Sequence, residues 1–118
     1  MAEEGERIGV EDARREIAAG DATAVDIRSE EDWQEGHVPG AIHLPDGDPE
    51  KATKPVEEGA RLLVIADDGK LAAKAASSLA EKGYDAAAVD GGMGDWLSEG
   101  YPIQPTADPD EDTELGLK

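Results

Sequence analysis

The chain has 118 residues, of which 29 are acidic and 11 are basic, and its formal net charge is −18. This length suffices for one domain with its own core, and the excess of acidic residues argues against nucleic acid or an anionic membrane as a partner. The sequence contains no cysteine, which excludes a disulfide, a thiolate metal site and a thiol nucleophile.

The acidic residues are spread along the whole chain, and phenylalanine is absent. Dense carboxylates hydrate a surface, and molar salt screens most of their mutual repulsion, so the composition favours a protein from a halophile that needs salt to fold. No apolar run approaches the length of a membrane span, and the first residues lack the basic start and apolar stretch of a signal peptide. We therefore expect a cytoplasmic monomer.

The first half of the chain alternates between helix-like and strand-like patterns. Residues 1–6 are polar and are expected to be disordered. Ser29 followed by Asp32 is typical of a helix N-terminal cap, and Trp33 is expected to pack inward from that helix. The predicted elements are a helix over 10–19, a strand over 23–27, a short helix around 30–35, a turn over 36–40, a small strand over 41–44 and a polar surface excursion over 45–59.

The stretch over 61–84 predicts a buried strand, a tight loop and a helix. Its apolar, β-branched run over 62–66 is typical of a buried strand, which the loop 67–69 ends. From Lys70 onward residues recur at helical spacing, and Gly83 ends the helix. These residues are Leu71, Ala75, Ser78, Leu79 and Lys82. Backbone N–H groups at such a helix start form a cradle for an anion.

The last third predicts a buried strand over 86–89 and a short helix over 93–98, which is expected to carry Trp96 and Leu97 inward. Residues 105–118 have little to bury and are expected to be a disordered acidic tail, which leaves 7–104 as the folded domain.

Strands that alternate with helices predict an α/β domain, with a mainly parallel sheet covered on both faces. Ligands of such sheets bind at the carboxyl ends of the strands. The segment Asp67–Leu71 lies at one such end, and Arg28 lies at another.

Several blocks, in their order and spacing, resemble a single-domain rhodanese. They are Val25–Arg28, Trp33, Gly36–Ala41, the strand–loop–helix over 61–84, Asp90–Met93, Trp96 and Gly100–Pro102. The resemblance covers roughly residues 6–103, and it implies a three-layer domain with a central, mostly parallel sheet of about five short strands.

The resemblance also implies a nucleophilic cysteine after the central strand, which takes sulfur from thiosulfate or another donor and holds it as a persulfide. Alignment on Gly69 puts Ala66 at this position, Leu71 where a basic residue is expected and Ala72 where serine is common. Ala66 has no nucleophilic atom, and two acids follow it, with Lys70 as the nearby positive charge. The site loop is therefore interpreted as vestigial. It consists of Ala66, Asp67, Asp68, Gly69, Lys70 and Leu71, with Asp26, Arg28 and His37 as pocket neighbours.

Other roles for these residues stay open. Asp67 or Asp68 could form an acyl-phosphate, but helix capping explains both. His37 and His43 could act as bases, although His37 could equally brace a turn and His43 end an edge strand. A third pair, Asp26 and Arg28, could orient a loop or form a strand-end ion pair. The spacing of these aspartates and histidines matches no metal-binding pattern. We expect no catalytic residue, metal or cofactor in this chain.

The sequence thus predicts a catalytically inactive rhodanese-like module with a binding, regulatory or scaffold role and an unidentified protein partner. The alternative is a sulfurtransferase-related protein that acts with a partner supplying the cysteine, or another small-anion chemistry in the same loop.

Overall fold

The computed structural model describes residues 6–48 and 61–104. The predicted disorder of 1–5 and 105–118, and most of the predicted excursion over 45–59, lie outside these residues. The elements in chain order are β1 (Glu6–Ile8), α1 (Val10–Ala18), β2 (Thr23–Asp26), α2 (Glu30–Glu35), β3 (Ile42–His43), a 3₁₀ turn (Pro45–Gly47), β4 (Arg61–Ile65), α3 (Gly69–Glu81), β5 (Asp85–Val89) and α4 (Gly92–Ser98).

The five strands form one parallel sheet in the order β1-β5-β4-β2-β3. Alternation along β4 builds two cores, since Leu62 and Val64 point to the face that α3 covers whereas Leu63 and Ile65 point to the opposite face. The second face is covered by α1 and α4, through Ala13 and Trp96 among others. The predicted α/β architecture with helices on both faces is confirmed.

Local sequence signals explain several element boundaries. The Ser29 hydroxyl accepts a hydrogen bond from the Asp32 N–H at 3.2 Å, which confirms the predicted cap of α2. Gly83, with φ at 100°, follows α3, and the N–H of Tyr84 donates to the carbonyl of Leu79 at 3.1 Å. This is the hydrogen bond of a Schellman motif, so the predicted glycine stop is also confirmed.

One predicted side-chain orientation is wrong, and it lies on α4. On α3 the buried side consists of Ala72, Ala73, Ala76 and Leu79, and Leu71, a predicted site residue, is 52% exposed. On α4, Trp96 is buried and its Nε1–H donates to the carbonyl of Pro102 at 2.9 Å, but Leu97 is 52% exposed. Successive residues of a helix lie about 100° apart, so Leu97 points away from the core when the large Trp96 side chain faces it.

The strand β1 differs from the expectation of a disordered start. Glu6, the last residue of the predicted disordered start, begins β1, which runs to Ile8 and was not predicted as a strand. The strand is only three residues long and largely exposed, so it lacks the apolar run by which a buried strand is recognised.

Arg61 joins four elements at the amino-terminal edge of the sheet. Its guanidinium donates to Glu6 of β1 at 2.8 Å, to Glu16 of α1 at 3.0 Å and to Asp85 of β5 at 3.2 Å. The hydrogen bonds that Arg61 donates, first to Glu6 and then to Glu16, raise the pKa of Arg61, and the hydrogen bond from Arg61 lowers the pKa of Glu6. We call these four residues the Arg61 cluster.

Candidate functional site

The loop between β4 and α3 lies at the carboxyl-terminal edge of the sheet. Ala66 directly follows β4 and is buried, and Asp67 and Asp68 are exposed. The carboxylate of Asp68 accepts a hydrogen bond from the Leu71 N–H at 3.0 Å, so that Asp68 is the N-terminal cap of α3. The Asp68 carboxylate therefore takes up one of the backbone N–H groups that could otherwise bind an anion.

The start of α4 supports this loop from behind. The N–H of Met93 donates to the carbonyl of Ala66 at 3.0 Å. Gly92 has φ at 55°, and a Cβ added there would lie 2.3 Å from the Ala66 carbonyl oxygen. Gly92 is thus required by close backbone packing against the loop as well as by its positive φ, whereas a Cβ added at Gly91, with φ at 78°, would meet the Asp95 side chain.

Arg28 and Asp26 form a nearly buried ion pair at the end of β2. The side chains of Arg28 and Asp26 are 9% and 1% exposed, and the Arg28 Nη2 donates to the Asp26 carboxylate at 2.8 Å. Asp26 also accepts the Arg28 backbone N–H at 2.9 Å, and the Arg28 guanidinium donates to the carbonyl of Gly36 at 2.6 Å. The guanidinium is therefore engaged inside the protein, in the strand-end role that the sequence left open.

A cavity of about 410 Å³ opens beside Ala66, between the ends of β2 and β4, the 3₁₀ turn and α3. Of the predicted site residues, it brings together Arg28, Ala66, Asp67 and Leu71. Asp26 holds Arg28 in place, and Asp68, Gly69 and Lys70 adjoin the wall along the chain without lining it. Sequence reasoning missed Ile27 and Gly47, which only the tertiary fold places beside the loop, and it missed Lys74, Ala75 and Ser78, which follow Leu71 at helical spacing on α3.

His37 lies in a ring stack instead of in the cavity wall. Its imidazole is 3.5 Å from the Trp33 indole, and the imidazole of His43 is 4.8 Å from the same indole, both within 10° of parallel. His37 Nδ1 bonds the Trp33 carbonyl at 2.9 Å, and His43 Nε2 bonds the Arg28 carbonyl at 2.8 Å. The stack thus braces the backbone that carries Arg28.

The arrangement offers a binding surface and lacks a thiol. The side chain at the start of the loop is the methyl group of Ala66, and the cavity wall combines Ile27, Leu71 and Ala75 with the charges of Asp67 and Lys74. Within residues 6–48 and 61–104, no group of three or more His, Asp or Glu side chains could hold a metal ion. No helix in the described part of the chain has the length and apolar character of a membrane span.

Comparison with known proteins gives a consistent result. Residues 9–99 match the model of the Rhodanese-like domain family. The chain is 29% identical over 76 residues to the putative sulfur carrier protein YrkF of Bacillus subtilis (strain 168), a match that spans 64% of this chain and 41% of that relative.

Solved structures agree in fold. A rhodanese-related protein from Thermoplasma volcanium has a TM-score of 0.74 at 26% identity, over 84% of this chain and 97% of that one. The polysulfide-sulfur transferase homodimer from Wolinella succinogenes has a TM-score of 0.72 at 23% identity, over 90% and 82% of the two chains.

Proposed function

Because this chain belongs to the rhodanese-like domain family and contains no cysteine, we propose that it is a catalytically inactive module that binds a ligand or partner at the cavity beside Ala66. The single observation that carries this proposal is the methyl group of Ala66 at the start of the loop, where the resemblance implies the sulfur-carrying thiolate. A persulfide needs a polarisable sulfur nucleophile, and this chain supplies none.

The charges around the loop support the same conclusion. Asp67 lies in the cavity wall, and Asp68 takes up the Leu71 N–H. Two unit negative charges about 5 Å apart repel by roughly 0.8 kcal/mol in bulk water, and by several times more in a partly buried site. The guanidinium of Arg28 is occupied by Asp26 and Gly36, so an anionic sulfur donor would meet acids without a free arginine.

A reconstruction experiment tests the proposal. The wild-type protein, Ala66→Cys, and Ala66→Cys combined with Asp67→Arg and Asp68→Ser are compared by thiocyanate formation from thiosulfate and cyanide. We expect the wild type to match the blank and the triple variant to exceed the single one, because Asp67 and Asp68 raise the pKa of a thiol placed beside them. Serine at position 68 keeps a good helix cap, so α3 is expected to stay intact.

Ser98→Cys provides the control, since it places a thiol on the exposed end of α4, far along the chain from the loop. Turnover by the wild type well above the blank would contradict the proposed function. Equal activity of the single and triple variants would contradict the electrostatic part of it.

A second candidate function is sulfur transfer in which a partner molecule supplies the thiol. It is favoured by the similarity to the relative named a putative sulfur carrier protein. Sulfite release from thiosulfate, with glutathione as the thiol that accepts the sulfur, is measured with and without the wild-type protein. A faster rate that Ser78→Trp in the cavity wall abolishes, and Ser98→Trp does not, would support this candidate over the inactive module.

We also propose that the acidic surface adapts a monomeric, cytoplasmic protein to high salt. The net charge of −18 supports this, because salt at molar concentration screens repulsion beyond about 3 Å. Thermal unfolding is followed in molar salt and in salt-free buffer. A sharp transition at the same temperature in both would contradict the adaptation.

A further inference from the structure

The helix α3 has a second face with apolar character. Leu71, Lys74, Ala75 and Ser78 follow the spacing i, i+3, i+4, i+7, which places them on one side of the helix, and all four line the cavity. The opposite side, formed by Ala72, Ala76 and Leu79, is buried against the sheet. Leu71 is 52% exposed, so this outer face presents a large apolar side chain that no described element covers.

The lysines of the described residues concentrate on the same helix. Every arginine within 6–48 and 61–104 has a partner: Arg7, Arg15, Arg28 and Arg61 form ion pairs, and Arg14 lies 4.7 Å above the ring of Tyr101. The lysines there are Lys70, Lys74 and Lys82, and none forms an ion pair with another described residue.

The surroundings of Lys70 and Lys74 are unlike the rest of this acidic chain. From Gly69 to Ala80, α3 contains no acidic residue, whereas α2 contains four acids and no basic residue. Asp67 also lines the cavity, and Asp68 is held by the helix cap. These two positive charges, which form no ion pair with another described residue, therefore lie next to Leu71, and α3 has no acidic residue between Gly69 and Ala80.

We propose that Lys70, Leu71, Lys74, Ala75 and Ser78 form a docking surface for an acidic segment of another protein. Carboxylates of the partner pair with Lys70 and Lys74, and an apolar side chain of the partner packs on Leu71 and enters the cavity. This inference rests on the proposed function, because it names the kind of partner that the cavity takes. Charge complementarity favours an acidic partner at this face, because the net charge of −18 repels acidic segments from the rest of the protein surface.

The experiment uses the full chain and a fluorescently labelled synthetic peptide of glutamates with leucine at every third position. Binding is measured by fluorescence anisotropy. We expect Lys70→Glu combined with Lys74→Glu to weaken binding about tenfold or more, and the matched control Lys82→Glu, at the far end of α3, to change it less than about twofold. Leu71→Ser keeps every charge and is also expected to weaken binding, which separates docking from general attraction between charges.

Equal binding by all these variants, or tighter binding of a matched lysine–leucine peptide, would overturn the inference. So would sedimentation that shows self-association lost in the Lys70→Glu, Lys74→Glu variant, because the face would then be an interface between copies of this chain. The failures are distinguishable: thiocyanate turnover by the wild type contradicts the proposed function, whereas absent turnover together with absent peptide binding contradicts only this inference.

Discussion

Each edge of the sheet is organised around one arginine, and burial makes the two arginines different. At the amino-terminal edge, Arg61 is 19% exposed and pairs with acids that are themselves one-third to one-half exposed. At the carboxyl-terminal edge, Arg28 and Asp26 are almost fully buried. The first group of charges stays in contact with water and salt, while the second is part of the interior.

Because of this difference in burial, the two edges respond differently to salt and present different surfaces. The Arg61 cluster connects β1, α1, β4 and β5 through exposed charges, which salt weakens. The Arg28–Asp26 pair supports the backbone from within, and the Arg28 guanidinium, although it borders the cavity, is bonded to Asp26 and Gly36. The carboxyl-terminal edge thus presents a partly apolar wall to the cavity, while its arginine is committed to structure.

The strongest test of the comparison is Arg28→Met. It leaves the Asp26 carboxylate buried without its main partner, and breaking a buried pair in this way costs about 3–5 kcal/mol. Urea unfolding monitored by circular dichroism measures the loss. Arg15→Met, which removes an arginine that is 67% exposed, is expected to cost less than about 0.5 kcal/mol, and equal costs would show that burial does not separate the two sites.

A smaller effect is expected from Gly92→Ala, which tests the packing behind the loop. The added Cβ meets the Ala66 carbonyl, and the positive φ is unfavourable for alanine, so we expect a loss of about 2–3 kcal/mol. Gly94→Ala is the matched control on the same helix, because its Cβ meets nothing within 4 Å. The control is expected to stabilise the protein by roughly 0.5–1 kcal/mol in the same unfolding experiment, and a destabilisation as large as that of Gly92→Ala would refute the packing argument.

Arg61→Met is expected to cost about 1–2 kcal/mol, since it removes one cation shared by three carboxylates. Repeating the measurement at molar salt should reduce this cost, because the cluster is exposed. Arg7→Met, which loses only the exposed contact with Asp90, is the control. If molar salt leaves the loss of unfolding free energy unchanged, the Arg61 cluster behaves like the buried Arg28–Asp26 pair, and the comparison of the two edges is wrong.

The smallest expected effect is a pH dependence at the amino-terminal edge. The hydrogen bond from Arg61 lowers the pKa of Glu6 below its usual value of 4.5. A carboxyl group with a lowered folded-state pKa contributes stability above its unfolded pKa, and this contribution is lost as the pH falls through the folded value. The difference in unfolding free energy between the wild type and Arg61→Met should therefore shrink below about pH 4.5, and a difference that grows there would contradict the assignment.

The sequence predicted the parts of the fold that depend on local signals. The apolar run of β4, the Ser29 cap and the Gly83 stop each act through neighbouring residues. The orientation of Leu97 was predicted wrongly, because Trp96 and Leu97 are neighbouring apolar residues and their sequence does not tell which of them faces the sheet. Leu71, in contrast, was assigned to the site loop, and it lines the cavity.

Only the part of the site that is continuous in the sequence was predictable. The loop from Ala66 to Leu71 was recognisable from its own residues, but the cavity beside it also depends on Ile27 and Gly47, which are distant in sequence. The stack of His37, Trp33 and His43 likewise joins a helix, a turn and a strand. No periodicity encodes such contacts, since they arise when separate elements pack together.

The position of β1 has a consequence for how the chain reaches its native state. Although β1 comes first, its hydrogen-bonded neighbour is β5, and Arg7 bonds Asp90, which lies 83 positions away. Closing contacts over so long a separation is slow, because most of the chain must be ordered before they form. During synthesis, the amino-terminal strand must therefore wait until almost the whole domain has left the ribosome, and its docking is expected to be among the last events of folding.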